Sequence, residues 1–489
     1  MQKKTVRTRF APSPTGFMHV GNLRTALFEY LIAKSMGGTF VLRIEDTDQE
    51  RLVDGAVNVI YNTLKKVGLN HDEGPDIGGQ YGPYVQSERK NIYKPYAEQL
   101  VKDGHAYYCF CTKERLDSLH EGKEEGTSFG GYDRHCRDLS QAEIDALLAS
   151  NTPYVIRQRM PIEGSTTFDD VVYGSITIDN KELEDQILIK SDGYPTYNFA
   201  NVIDDHLMDI THVVRGCEYL TSTPKYNLLY QAFGWDLPTY VHLPLIMGKN
   251  ADGSVSKLSK RHGSTGFDDL IKEGYLPQTI VNYIALLGWC PKENRELFTL
   301  QELIENFSID GISKSPAIFD YDKLTWFNGE YIRAMSPEEF TANAMPYYQE
   351  IFQDTEVNLQ VLTAILQPRV TKFNQIPEMI SFFKNLPDYS TDFFINKKSK
   401  TNLENSASML KAAIPVLENV QSWSLDVLHE VLIELAQKLE VKNGTLLWPV
   451  RIAAAGMLVT PGGAMEILAI LGKQESIRRL KIGLEKIEA

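Results

Sequence analysis

The segment that most restricts the fold is PTGFMHVGNLRTALF, residues 14–28. Before it, residues 6–10 alternate apolar or small side chains with arginines, the period-two pattern of a half-buried strand. After it, apolar residues at 26–33 form a helical stripe that ends at a pair of glycines. The sequence therefore predicts a turn from a strand into a helix, with His19 and Gly21 at the helix start.

A helix start of this kind suits phosphate. The first turn carries unpaired N–H groups and the positive end of the helix dipole. Gly21 lets a phosphate or a flat base approach the backbone without meeting a Cβ. His19 can donate a hydrogen bond to charge that develops on a phosphoryl oxygen. An ordinary turn histidine beside a turn glycine is the alternative that this short match leaves open.

Length, composition and charge favour an ordinary soluble globular protein of the cytosol. A chain of 489 residues is too long for one core and predicts about three domains. The N-terminus has no apolar signal-peptide region, and five cysteines favour a reducing cytosol over a disulfide framework. The net charge of −14 excludes indiscriminate nucleic-acid binding but permits a local basic track.

Secondary-structure patterns divide the chain into two regions. The first half mixes short β-rich segments with helices, whereas a helical period dominates after about residue 333. The most apolar stretch, residues 450–472, is interrupted by a Pro-Gly-Gly sequence and contains charged residues, so it predicts two short buried helices. An α/β front followed by an all-helical back is expected.

A second phosphate signal, KLSKR, lies at residues 257–261 in a Gly-, Ser- and Asn-rich stretch that predicts a mobile loop. Lys257 and Lys260 can neutralise a triphosphate as point charges. Taken alone, the pentapeptide favours a solvated basic loop. In combination with HVGN and the preceding SPTG, it is similar to the signature pair of class I aminoacyl-tRNA synthetases.

The resemblance extends along most of the chain and identifies bacterial glutamyl-tRNA synthetases as the family. It covers residues 5 to about 335 strongly and continues more weakly to the C-terminus. The similar segments, in the family's order and spacing, include RFAPSPTGFMHVGNLRTALF, LRIEDTDQER, DEGPDIGGQYGPYVQSER, KSDGYPTYNFANVIDDH and VVRGCEYLTSTPKYNLLYQAFGW.

The resemblance implies a multidomain α/β fold, with an insertion between two halves of a class I Rossmann-type catalytic domain. The implied parts are the first catalytic half, an acceptor-stem-binding insertion, the second catalytic half, a stem-contact region with KLSKR, and an all-α anticodon-binding domain, at residues 1–83, 84–191, 192–248, 249–332 and 333–489. The implied reaction activates glutamate with ATP and Mg²⁺ and transfers it to the terminal adenosine of tRNA(Glu). A cytoplasmic monomer that contacts no membrane is expected.

The family's binding residues carry over to matching positions. ATP would contact His19, Gly21, Asn22, Glu218, Ile246, Lys257, Leu258, Ser259, Lys260 and Arg261, with His19, Gly21, Lys257 and Lys260 acting in catalysis. Glutamate would contact Arg9, Ala11, Ser13, Glu45, Tyr197, Asn201 and Arg215.

The chemistry of glutamate agrees with this set, because two carboxylates and one ammonium need two cations and one anion. We expect Arg9 to bind the side-chain carboxylate, Arg215 the α-carboxylate and Glu45 the ammonium. Surface salt bridges for both arginines are the alternative. Tyr197 and Asn201, four residues apart, are expected on one face of a short helix.

Three cysteines in the insertion have a spacing that suits tetrahedral zinc. Cys109, Cys111 and Cys136 form C-x-C-x24-C, and some members of the family have a similar cluster. Asp138 is expected as the fourth ligand, with His135 as its competitor. Three free thiols remain the alternative, and Cys217 and Cys290 have no partner pattern.

Arg369 is the predicted anticodon contact. Pro368 is expected to break or start a helix, which would leave Arg369 in the first turn. An arginine there can contact a base edge or a phosphate. The resemblance implies that it reads the last anticodon base and favours the C of tRNA(Glu) over the G of tRNA(Gln).

Four other functions compete with this interpretation. Glutaminyl-tRNA synthetase has a β-barrel anticodon part, and the truncated paralogue that glutamylates a tRNA(Asp) base lacks an anticodon domain. A small cytidylyltransferase needs neither the helical residues nor KLSKR. A non-enzymatic RNA-binding descendant would not need both phosphate motifs.

Overall fold

The computed structural model describes residues 5–48, 52–119, 132–353 and 357–489. The chain forms two compact units. The first comprises Met1–Ile271 and Ile280–Asp320, and the second comprises Lys272–Thr279 and Tyr321–Ala489. The first unit contains the strands and the second is helical, as expected of an α/β front and a helical back.

The strands in the described residues are short. They are β1 (Arg7–Phe10), β2 (Thr39–Leu42), β3 (Ala106–Cys109), β4 (Val155–Gln158), β5 (Ser165–Asp170), β6 (Gly174–Asp179), β7 (Ile187–Ile189), β8 (His212–Gly216), β9 (Thr239–Leu243), β10 (Ile246–Lys249), β11 (Val255–Lys257) and β12 (Ala317–Phe319).

The α-helices in the same residues fall between and after these strands. They are α1 (Val20–Ser35), α2 (Ala56–Val67), α3 (Lys90–Lys102), α4 (Lys113–Ser118), α5 (Gln141–Ala149), α6 (Tyr197–Leu207), α7 (Thr223–Phe233), α8 (Phe267–Lys272), α9 (Pro277–Ala285), α10 (Leu300–Asn306), α11 (Tyr321–Ala334), α12 (Pro337–Phe352), α13 (Leu359–Leu366), α14 (Ile376–Lys384), α15 (Leu403–Glu418), α16 (Leu425–Lys438), α17 (Asn443–Ala455), α18 (Ala464–Leu471) and α19 (Lys473–Glu488).

Parallel strands form the centre of the first unit. β1 and β2 pair in parallel and are joined by α1, and β8 and β9 form a second parallel pair. The Thr211 N–H donates to the Arg7 carbonyl at 3.0 Å, which places β1 beside β8. β5 continues from β9, and β6 pairs antiparallel with β5 at the edge. Because β1 ends at Phe10 and α1 begins at Val20, the predicted turn from a strand into a helix within residues 14–28 is confirmed.

Burial of the first strand and helix differs from the sequence prediction. In β1 the side chains of Thr8, Arg9 and Phe10 are all buried, so the prediction of a half-buried strand is wrong. In α1 every residue from Ala26 to Ala33 is buried rather than one stripe. The reason is that a parallel α/β sheet is covered on both faces, and α1 lies within that cover.

The insertion and the KLSKR segment add two small sheets. β3, β4 and β7 form an antiparallel sheet in the insertion. β10 pairs antiparallel with β11 and parallel with β12. Lys257 therefore ends a strand, and Lys260 begins a 3₁₀ turn over Lys260–His262, where the sequence predicted a loop throughout. The segment forms a strand because β11 pairs with β10, and the Gly-, Ser- and Asn-rich composition gives no sign of this pairing.

The second unit has its own apolar core. Its members include Phe340, Leu362, Leu410 and Leu432, all fully buried. The apolar stretch at 450–472 forms the end of α17, a turn, and α18, which confirms the prediction of two short buried helices. Within the described residues, no helix is long and apolar enough to span a membrane.

Arg369 lies in a turn between two helices of this unit. Helix α13 ends at Leu366, just before Pro368, and α14 begins at Ile376. The prediction that Arg369 occupies the first turn of a helix is therefore wrong. Pro368 follows the helix because its ring cannot continue the hydrogen-bond ladder.

Candidate active site

One cavity, about 520 Å³ in volume, opens where β1 and β8 end and α1 begins. Most of the predicted ATP and glutamate residues line it. They are Arg9, Ala11, Ser13, His19, Gly21, Asn22, Tyr197, Arg215, Glu218, Ile246, Lys257 and Leu258. The predicted residues that do not line it are Glu45, Asn201, Ser259, Lys260 and Arg261. Ligands bind at the carboxyl ends of parallel strands in open α/β sheets, and this cavity has that position.

His19 caps the N-terminus of α1. Its Nδ1 accepts a hydrogen bond from the Gly21 N–H at 3.0 Å. Burial lowers the pKa of His19, and the charges of Lys257 and Lys260 lower it further. A neutral ring with Nδ1 as acceptor carries its proton on Nε2, so His19 can donate from that nitrogen. A Cβ on Gly21 would lie 3.2 Å from His19 Nδ1, which explains the glycine.

The KLSKR segment is anchored beside this helix start. The Leu258 N–H donates to the Ile246 carbonyl on β10 at 2.9 Å. Lys257 is exposed, and its Nζ lies 4.0 Å from Glu218 Oε1. Lys260 Nζ lies 5.0 Å from the centroid of the Phe17 ring. Lys257 lines the cavity, and the charges of both lysines act on His19 at the helix start, so both ammonium groups are available to neutralise phosphate charge there.

Arg9 is buried and held by two carboxylates. Its Nε donates to Asp205 Oδ1 at 2.9 Å, and its Nη1 donates to Glu29 Oε1 at 3.2 Å. The neighbouring Arg215 is also buried, with 6% of its surface exposed. The alternative of surface salt bridges for the two arginines does not fit this burial.

Arg215 lines the cavity with unpaired donors. Among the described residues, its Nε and Nη1 have no hydrogen-bond partner. Its guanidinium packs 4.9 Å from the ring centroid of Tyr226 and 5.3 Å from that of Tyr219. Buried charged donors are costly to leave unpaired, so this arrangement favours an anionic ligand beside Arg215.

Glu45 and Asn201 are both buried, and neither side chain lines the cavity. Glu45 Oε1 accepts from Arg43 Nη2 at 2.9 Å, whereas its buried Oε2 has no partner in the described part of the chain. Asn201 Nδ2 donates to the Tyr197 carbonyl at 2.9 Å within α6. This hydrogen bond confirms that Tyr197 and Asn201 share one face of a helix.

Sequence reasoning missed the buried charges that hold the cavity wall together. Arg43 Nη1 donates to Asp205 Oδ1 at 2.8 Å, and Arg89 Nε donates to Asp204 Oδ1 at 2.7 Å. Glu29 lines the cavity and is buried in α1. A charged residue within an apolar segment, as in ALFEYLIA or FVLRIE, was the available signal, because such groups are buried only with partners.

The predicted cysteine cluster forms in the insertion. The sulfur atoms of Cys109, Cys111 and Cys136 all lie within 4.8 Å of one another. The Tyr132 hydroxyl lies 3.2 Å from Cys109 Sγ and 3.7 Å from Cys111 Sγ. Three sulfurs this close together can share one ion, and thiolates are ligands that zinc prefers, so the cluster fits that metal.

Neither residue predicted as the fourth ligand belongs to this cluster. The Asp138 side chain is 88% exposed, and its Oδ1 lies 3.6 Å from Arg159 Nη1. His135 is exposed as well. The backbone N–H of His135 donates to Asp133 Oδ1 at 3.2 Å. The turn after Tyr132 directs Cys136 inward and leaves the flanking residues outside.

Family models cover both parts of the chain. The catalytic domain of class I tRNA synthetases for E and Q matches residues 5–326. An anticodon-binding domain matches residues 339–484. The first match covers mainly the strand-containing unit, and the second lies within the helical unit.

Several relatives that match over the whole chain are glutamate–tRNA ligases. The chain is 58% identical to a glutamate–tRNA ligase of Clostridium novyi over 100% of this chain and 99% of that protein. It is 57% identical to that of Clostridium tetani, with the same coverage. A crystal structure of the Elizabethkingia meningosepticum glutamate tRNA ligase, in complex with its amino acid, matches with a TM-score of 0.89 and 34% identity, covering 99% of this chain and all of that one. The chain therefore belongs to the glutamate–tRNA ligase family of class I tRNA synthetases.

Proposed function

We propose that the cavity joins glutamate to ATP and then to tRNA(Glu). The glutamate α-carboxylate attacks the α-phosphate, the bond to pyrophosphate breaks, and glutamyl-adenylate forms. The terminal adenosine of the tRNA then attacks the glutamyl carbonyl and releases AMP. Such phosphoryl chemistry depends on positioning and on stabilising negative charge rather than on covalent catalysis.

The observation that carries the assignment is the free guanidinium of Arg215 in the same cavity as the capped start of α1. Arg215 would bind the α-carboxylate, and Arg9 the side-chain carboxylate. Glu45, whose Oε2 is unpaired, would attract the ammonium. Ala11, Ser13, Tyr197 and Asn201 would complete the glutamate site.

The nucleotide would lie at the helix start. His19 Nε2 would donate to the phosphate, and Gly21 and Asn22 would let it approach the backbone. Lys257, Lys260 and Arg261 would hold the departing pyrophosphate, with Ser259, Leu258, Ile246 and Glu218 lining the nucleotide site. ATP enters such reactions with Mg²⁺, which neutralises part of the phosphate charge.

The test is ATP–pyrophosphate exchange with glutamate, glutamine or no amino acid, each with and without tRNA. We expect exchange with glutamate alone and only when tRNA is present. Exchange that is supported by glutamine instead would overturn the specificity, and exchange without any amino acid would overturn the reaction itself.

We also propose zinc at Cys109, Cys111 and Cys136, with the Tyr132 hydroxyl nearest the fourth position. Zinc would cross-link segments within the insertion at residues 84–191. We assign this insertion to binding of the acceptor stem. The other predicted divisions remain at 1–83, 192–248, 249–332 and 333–489. A cytoplasmic location is proposed too, because all five cysteines are free thiols, which fits a reducing compartment. A monomer is proposed from the resemblance to the family. Light scattering of the purified chain tests the monomer.

A further inference from the structure

Glu29 is a buried acid that the proposed reaction leaves without a role. It lies in the middle of α1, lines the cavity and is 1% exposed. Its Oε1 accepts one hydrogen bond, from Arg9 Nη1 at 3.2 Å. Its Oε2 is buried and has no partner among the described residues. A carboxylate buried with one oxygen unpaired is costly, so a further hydrogen-bond partner is expected.

Charged groups reach Glu29 from every neighbouring element. Arg9 comes from β1, Arg43 from the end of β2, Asp205 from α6 and Arg215 from β8. Asp205 binds both Arg9 and Arg43. Asp204 and Arg89 form a separate pair at 2.7 Å. The other charges around Glu29 balance as three guanidinium groups and three carboxylates: Arg9, Arg43, Arg215, Glu29, Glu45 and Asp205. Arg24 also lines the cavity, but it donates to the backbone carbonyls of Leu287 and Pro244, and its charge interacts with that of Glu218.

Glutamate disturbs this balance, because it carries one net negative charge into a buried site. An uncompensated buried charge is strongly unfavourable, whereas a proton taken up by one carboxylate would restore neutrality. Among the three acids, only Glu29 lines the cavity. Burial raises the pKa of Glu29 well above its ordinary value, whereas Arg9 and Arg43 hold the pKa of Asp205 low despite burial.

We propose that Glu29 takes up a proton when glutamate binds, and that its O–H then donates a hydrogen bond to the carboxylate held by Arg9. The inference rests on the proposed glutamate site. The proton comes from solvent, and no substrate bond changes in this step. Glu29 thereby adds a donor to a site for a second carboxylate and lets the buried wall remain neutral with the amino acid in place.

The expected signature is a pH-dependent affinity. Above the pKa of Glu29 in the free enzyme, glutamate binding should weaken by about tenfold per pH unit, since each binding event must then supply a proton. In Glu29→Gln, the side chain is neutral at every pH, so this loss should disappear. The ammonium group of glutamate loses its proton over the same pH range in both experiments. The ratio of the parent's glutamate affinity to that of Glu29→Gln therefore removes this contribution.

The experiment measures glutamate binding to the full-length chain by calorimetry from pH 6 to 9, in buffers of different ionisation enthalpy. The parent should take up about one proton at the alkaline end, and Glu29→Gln none. Glu73→Gln is the matched control, since Glu73 accepts from Arg7 at 2.8 Å and does not line the cavity. It should behave like the parent.

Two results would overturn the proposal: no proton uptake by the parent, or equal uptake by Glu29→Gln. An Arg215→Gln variant separates this failure from that of the proposed site. If Arg215→Gln binds glutamate as tightly as the parent, the cavity is not the glutamate site. If it binds weakly while the parent takes up no proton, the site stands and Glu29 has only a structural role.

Discussion

At the scale of single residues, pairing decides which of the buried arginines can bind a ligand. Arg9 and Arg43 satisfy carboxylates of the protein itself, whereas Arg215 keeps two donors unpaired. Because buried charged donors without partners are costly, these two donors of Arg215, unpaired among the described residues, favour an anionic ligand. His19 is likewise fixed, with its Nδ1 occupied by the Gly21 N–H.

Replacing Arg215 with lysine should lower kcat/KM for glutamate by about 10- to 100-fold. Lysine keeps the charge but loses the planar pair of donors, and a hydrogen bond to a charged group contributes roughly 1.5–3 kcal/mol. Steady-state aminoacylation over a range of glutamate concentrations measures this. Arg7→Lys is the control, because Arg7 pairs with Glu73 outside the cavity lining. Equal losses in the two variants would contradict the assignment.

Replacing Lys260 with alanine should slow glutamate activation by roughly 10²–10³-fold, the cost of losing one preorganised charge-stabilising group. The rate of pyrophosphate exchange reports it directly. Lys249→Ala serves as the comparison, since Lys249 is an exposed lysine at the end of β10, and the charges that lower the pKa of His19 are those of Lys257 and Lys260. A Lys260→Ala enzyme that activates glutamate at nearly the parent rate would show that this lysine has no such role.

At the scale of secondary-structure elements, polar cross-links hold the strands in place. His242 on β9 is fully buried, with its Nδ1 2.7 Å from Asp170 Oδ2 on β5. The same carboxylate oxygen accepts from the His242 N–H at 3.0 Å. In the insertion, the three clustered sulfurs connect β3 to the turn before α5.

Acid should destabilise the first unit partly through His242. Burial lowers the pKa of His242, against the opposing effect of Asp170. The stability from the neutral ring is therefore present above the unfolded-state value of about 6.5 and is lost as the pH falls below it, by at most about 1.4 kcal/mol per pH unit. Thermal unfolding at pH 7.5 and 5.5 should show a smaller decrease for His242→Gln than for the parent. An identical decrease would exclude this histidine as the cause.

Protein purified without chelator should contain about one zinc per chain. Cys111→Ser should lose most of this metal, because it removes one of the three thiolates, whereas Cys290→Ser should keep it, because Cys290 is exposed and outside the cluster. Elemental analysis of the purified variants provides the measurement. A zinc content near zero in the parent would eliminate the site.

At the scale of the whole molecule, two units contain the two family domains. The cavity is built within the first unit, and Arg369 belongs to the second. Arg369 is exposed in the turn after α13, and its Nη1 donates to the Ile365 carbonyl at 2.8 Å. Its remaining donors suit either a base edge or a phosphate.

Replacing Arg369 with glutamine should reduce discrimination between tRNA(Glu) and tRNA(Gln) by roughly 1–3 kcal/mol while sparing glutamate activation. The comparison is kcat/KM for each tRNA with the variant and with the parent. Equal weakening of both tRNAs, together with a shallower salt dependence, would instead identify a phosphate contact.

Sequence patterns and the family resemblance predicted an α/β front, a helical back, the helix start and about half of the residues that line the cavity. Local patterns sufficed because His19, Gly21 and Asn22 lie in one turn, and because KLSKR carries its own charges. The class I resemblance linked these separate segments. It also located the cysteines, whose spacing alone suggests a metal.

The burial of the charged side chains and the identity of their hydrogen-bond partners depend on the tertiary structure. Arg9 meets Asp205, 196 residues away, and Arg43 meets the same carboxylate across 162 residues, so neither contact leaves a local signal. Asp138 remains outside the cysteine cluster while Tyr132 faces it, because the direction of a turn, rather than ligand spacing, orients these side chains. Burial on both faces of β1 arises from the layers around the sheet, which the alternation within a single strand cannot reveal.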